Sequence, residues 1–124
     1  NITGENSALE PGIHGLSNHL LNSPWPKVER AKAALSEVLR SEAPSVEQLF
    51  DLLADGTPAP DHALPDTGIG LPWERVLSSI HIRAASYGTR CSSVLLVDGH
   101  GVARFAERSY FPEEERVHTL ITRH

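Results

Sequence analysis

Apolar side chains recur at helical spacing from residue 28 to residue 39. Val28, Ala31, Leu35, Val38 and Leu39 form one face, and Glu29, Arg30, Lys32, Glu37 and Arg40 form the other. The pattern predicts an amphipathic surface helix ending near Arg40. Ser23-Pro24-Trp25-Pro26 supplies its start, with serine as cap and proline tolerated in the first turn. Ser45 and Gln48 stand at capping-box spacing and open a second helix. Val46, Leu49, Phe50, Leu52 and Leu53 give it a buried stripe, and Asp55-Gly56 ends it. Ahead of both, residues 12–18 are a short apolar stretch punctuated by glycine. They read as a strand running into a loop, with Gly12 and Gly15 marking close backbone approach.

Beyond the helices the period changes. Residues 55–72 alternate Pro58, Pro60, Pro65 and Pro72 with Gly56, Gly68 and Gly70, which predicts one long loop of the functional or mobile kind. Residues 80–83 then alternate apolar with polar as a half-buried strand does. Residues 93–97 are a continuous apolar run, consistent with a strand covered on both faces. Asp98-Gly99-His100-Gly101 is turn chemistry, and residues 102–108 return as an antiparallel partner. The acidic Pro112-Glu113-Glu114-Glu115 reads as a solvated turn, with a last strand over residues 117–122. The expected class is α+β, with helices packed on a mainly antiparallel sheet. Two helices cannot bury both the Leu95/Val97 and the Val94/Leu96 sides of one strand, so another chain or segment is expected over the sheet.

Composition narrows the function. The chain has 124 residues, 40% apolar and 22% charged, which suits one globular domain. A net charge of −5, with lysine only at Lys27 and Lys32, argues against nucleic acid. No apolar stretch approaches the ~20 residues of a membrane span, and no signal-peptide pattern opens the chain, so a cytoplasmic location is expected. Cys91 is the single cysteine, which excludes an intramolecular disulfide and a cysteine-built zinc site. It is expected to pack as a plain buried cysteine, with Arg90 on the other strand face. The chain lacks methionine and starts on polar residues, which suggests processing or the back part of a longer protein. Asn1-Ile2-Thr3 matches a glycosylation sequon, a pattern common by chance.

Seven histidines invite a metal, but His14 and His19 lack helix-face ligand spacing, and Asp61-His62 with Asp66 lies in the long loop. No metal and no cofactor are expected. Ser17, Ser92 and Ser93 are not in a Gly-x-Ser-x-Gly string. Two other positions carry chemistry. Asn18 follows the glycine-flanked segment, where its amide either donates from a fixed place or satisfies its own loop. Arg90 ends the compact turn Tyr87-Gly88-Thr89-Arg90, where it either grips a carboxylate bidentately or pairs with a structural acid.

Those two spots lie in longer motifs. Pro11-Gly12-Ile13-His14-Gly15-Leu16-Ser17-Asn18, with Ser23-Pro24-Trp25-Pro26-Lys27-Val28 after it, resembles the second half of the NRDE-domain, or Transport and Golgi organisation protein 2-like, family. Tyr87-Gly88-Thr89-Arg90-Cys91-Ser92-Ser93-Val94-Leu95-Leu96-Val97-Asp98 and Phe105-Ala106-Glu107-Arg108 match in the same order. The resemblance implies an Ntn-hydrolase-like αββα sandwich, of which residues 1–124 are the C-terminal part of one domain. The family's Asn-Arg-Asp-Glu string and near-terminal cysteine belong to an N-terminal half absent from this sequence. By the same resemblance Asn18 is an oxyanion-hole residue, and Arg90, Arg83 and Thr89 are substrate-binding residues. It implies acyl or amide C–N bond hydrolysis by a cysteine in the missing half. The rival is a non-catalytic binding or trafficking module for haem, lipid or secretory cargo. The expected partners are that N-terminal half or a second chain over the sheet, and a small molecule of unknown identity.

Overall fold

The computed structural model describes residues 8–111 and 113–121, and within the last strand it describes only the side chain of Arg116. The Asn1-Ile2-Thr3 triplet, Pro112 and Thr122 lie outside the described residues. The elements run α1 (Pro26–Leu39), α2 (Val46–Leu53), a 3-10 turn (Asp61–Ala63), α3 (Leu71–Leu77), β1 (Cys91–Val97), β2 (Val102–Tyr110) and β3 (Glu113–Ile121). The class is α+β. The strands form one antiparallel sheet in the order β1-β2-β3, with Val94 opposite Ala106 and Ala106 opposite Val117.

Both anticipated helices form. Proline occupies the first turn of α1, and its N-cap is Trp25 instead of Ser23. The Ser23 hydroxyl donates to the Leu20 carbonyl and braces the approach. In α2 the capping box is complete: Ser45 Oγ accepts from the Gln48 amide at 3.2 Å, and Gln48 Oε1 accepts from the Ser45 amide at 3.0 Å. Helix α2 packs against both α1 and β1. Its Phe50 is fully buried with Val94 and Ala106, and Val46, Leu49, Leu53 and Leu96 close around them. The Arg108 guanidinium lies 4.3 Å over the Phe50 ring and pairs with Glu47 at 3.2 Å.

The hairpin turns where expected. Asp98 Oδ1 accepts from the amides of His100 (2.8 Å) and Val102 (2.9 Å). The covering of β1 is one-sided, as the two-helix argument required and unlike a strand covered on both faces. Ser92 and Val94 are buried, whereas Leu95 and Val97 are 62% and 64% exposed, so only one face of the apolar run is covered. Cys91 shares the open face by strand alternation, and it is exposed instead of packed.

Four further expectations are corrected. Residues 12–18 form no strand, because the Gly15 amide and carbonyl are taken by Asn22 (2.9 and 2.7 Å) and not by a neighbouring strand. Asn22 holds a left-handed φ of 57° to do so, and its Nδ2 meets His14 Nδ1 at 2.9 Å. Gly15 does mark a close approach, since a Cβ there would sit 2.6 Å from Val28 Cγ1. Residues 80–83 contribute only the isolated bridge Arg83–Gly88. The long loop gives way to α3, which starts with proline in its first turn. The acidic residues Glu113, Glu114 and Glu115 are not a turn. They belong to β3, opposite Tyr110, Ser109 and Arg108.

The loop between α2 and α3 is tied down. Asp61 and Arg75 form a two-point ion pair, and the Ala59 amide donates to Ser78 Oγ at 2.9 Å. No helix among the described residues is long and apolar enough to cross a membrane.

Candidate functional site

The residues singled out from the sequence fall at two places. Arg83, Thr89 and Arg90 come together around a tight reversal ahead of β1. Ala84 N–H donates to the Tyr87 carbonyl and Thr89 N–H to the Ile82 carbonyl, both at 2.9 Å. Thr89 Oγ1 accepts from the Ile82 amide at 2.9 Å, which holds the threonine side chain against the turn. The Tyr110 amide donates to the Arg90 carbonyl at 2.9 Å and fixes Arg90 to the end of β2. Backbone on both sides thus positions the arginine, as a rigid recognition group requires.

This reversal lines a groove of about 710 Å³ together with His81, Tyr87, Arg108, Tyr110 and Phe111. Arg83, Arg90 and Arg108 line it, the last with its guanidinium engaged by Phe50 and Glu47, and no carboxylate lines it among the described residues. Arg83 and Arg90 are exposed, and neither pairs with an acid among the described residues. His81 closes the floor. It is 2% exposed, its ring meets Tyr110 edge-on at 4.5 Å, and its Nδ1 has no hydrogen-bond partner among the described residues. Burial first, and then the charge of Arg83, pushes the His81 pKa below its ordinary value. The histidine is therefore held neutral under a cationic rim.

Asn18 lies elsewhere. It is exposed and lines a cavity of about 320 Å³ between the start of α1 and the face of α3. No described residue hydrogen-bonds its amide, because Asn22 organises that loop in its place. Asn18 and Arg90 therefore line separate cavities. Lys27 and Glu74 border the Asn18 cavity and were not singled out from the sequence. No local sequence pattern joins them, since they meet only where the fold sets α1 beside α3. A third cavity of about 350 Å³, mostly apolar, lies between α1, α2 and β1.

Other candidates are accounted for by local bonds. Ser92 accepts from the Tyr110 hydroxyl at 3.1 Å, and Ser93 donates to Glu107 at 3.1 Å. The His19–Ser23 contact at 2.7 Å is no nucleophile–base pair, because the serine proton goes to Leu20. Among the described residues no group of three or more His, Cys, Asp or Glu side chains is placed to hold a metal ion.

The model of one family, Transport and Golgi organisation 2, matches residues 1–112. The chain is similar to the mouse Transport and Golgi organization 2 homolog, at 38% identity over 114 residues. It is similar to the human homolog at 33% identity over 120 residues. Each match covers 86% of this chain but 41% of the relative, so the chain spans about two-fifths of the proteins it matches. The bovine homolog is 38% identical over 109 residues. With nine-tenths of its length inside the family model and relatives at this identity, the chain belongs to the Transport and Golgi organisation 2 family.

Proposed function

We propose that the chain supplies the ligand-gripping arginines of a small-molecule site, with Arg90 and Arg83 holding the anionic end of the ligand. One observation carries this reading: a groove lined by the exposed Arg83 and Arg90, neither paired with an acid and with no carboxylate beside them among the described residues, in a chain of net charge −5. A guanidinium fork meets a carboxylate or phosphate with two parallel bonds, and lysine cannot reproduce that geometry. Thr89 contributes by fixing the turn. Titration with decanoate and decanol tests the reading. Decanoate binds, decanol binds at least about tenfold more weakly, and Arg90→Lys removes most of the difference. Equal binding of the two probes overturns it.

A second reading places this site in an Ntn-hydrolase-like sandwich that hydrolyses acyl or amide C–N bonds. The nucleophilic cysteine then comes from the N-terminal half of the longer family protein, and Asn18 is the oxyanion donor. Two features support it: the Asn18 amide at a cavity mouth, unbonded among the described residues, and the exposed apolar face of β1, of the kind a second sheet covers in a sandwich. In a protein of full family length, Asn18→Ala then lowers acyl-amide turnover by about a hundredfold with KM little changed. Binding without turnover instead assigns a trafficking role for haem, lipid or other cargo.

A further inference from the structure

The cavity between α1 and α3 has two opposite charges on its wall that do not meet. Glu74 is only 6% exposed. Its Oε1 is filled by Thr67, which donates its amide at 2.7 Å and its hydroxyl at 2.6 Å. Its Oε2 accepts nothing from the described residues. Lys27 spends one N–H on the Leu77 carbonyl at 3.0 Å and rests 5.6 Å over the Trp25 ring. The two groups form no ion pair, yet each lies in the other's field. Burial lowers the Lys27 pKa, and the Glu74 charge partly restores it.

Charge complementarity selects the occupant. A lone anion is repelled by Glu74, and a lone cation by Lys27. A purely apolar guest strips water from both charges and returns nothing. A molecule with an ammonium and a carboxylate a few bonds apart satisfies both at once. The cavity, about 320 Å³ and walled by Trp25, Ile69 and Leu77, is at the small end of ligand pockets. We propose that it binds a free amino acid or a similarly small zwitterion, with the ammonium on Glu74 and the carboxylate on Lys27. This site is separate from the arginine groove and shares none of its residues.

Titration of the protein with L-leucine, followed by NMR at the Trp25 indole N–H, tests the proposal. Leucine gives a saturable shift. Leucinamide, lacking the carboxylate, and 4-methylpentanoate, lacking the ammonium, bind at least about tenfold more weakly. Lys27→Met lowers leucine affinity to that of leucinamide, and Glu74→Gln lowers it to that of 4-methylpentanoate. Glu42→Gln, on the exposed joint between α1 and α2, changes none of these affinities. Should Glu74→Gln unfold through loss of the Thr67 latch, Lys27→Met decides alone. No saturable shift, equal binding of the three probes, or a Lys27→Met protein that still prefers leucine to leucinamide overturns the proposal.

Discussion

Gly88 occupies a point on the chain with no space for a side chain, since a Cβ would lie 2.9 Å from the Ile82 carbonyl oxygen. That oxygen is backbone and already accepts from Thr89, so it cannot yield. Gly88→Ala is expected to cost about 1–3 kcal/mol in urea unfolding and to misplace Arg90 with it. His81 sets a different constraint. Its folded pKa is below the ordinary value of about 6.5, so the unfolded chain binds more protons as the pH falls through that value. The sign of the linkage is then fixed: the contribution is full above about pH 6.5 and is lost on acidification. A thermal-melt series from about pH 7.5 to about pH 5.5 should fall more steeply for wild type than for His81→Phe, which keeps the edge contact with Tyr110.

Helix α2 exists as an element because one end is closed by its own sequence. Ser45→Ala leaves the Gln48 amide uncapped, and about 1 kcal/mol of stability should be lost in a denaturant titration. That cap, the stripe of α1 and the Asp98 turn were all legible in the sequence, since each is a local code with a fixed spacing. Helix α3 was not. Its seven residues are shorter than any window in which a helical period can be counted, and proline and glycine precede them. Residues 80–83 misled for the opposite reason. Their alternation is genuine, but their partner is only the single bridge at Gly88. The site was readable to the same extent. Arg83, Thr89 and Arg90 were grouped by the family resemblance alone, with Arg83 read on a strand, and the reversal that brings them together, like the meeting of Lys27 and Glu74 at one cavity, is made by the fold. Asn22, which does the loop work considered for Asn18, was invisible because a left-handed backbone leaves no mark in composition.

Across the whole molecule, burial is unevenly distributed. Phe50 is the one large side chain fully enclosed among the described residues, so Phe50→Ala should cost about 3–5 kcal/mol. Leu95→Ser on the open face should change the stability of this chain by less than about 0.5 kcal/mol. If the bare face seats another sheet or chain, the same change should weaken that association in a pull-down or sedimentation experiment. Unchanged association would show that the face is only surface. The order β1-β2-β3 also has a kinetic meaning. Each strand pairs with its immediate successor across a short reversal, so residues 91–121 assemble with little loop-closure entropy. Docking Phe50 onto Val94 instead closes a loop of more than forty residues. The meander should therefore be structured in the folding transition state before α2 arrives, with substitutions at Asp98 slowing folding and those at Leu49 chiefly accelerating unfolding.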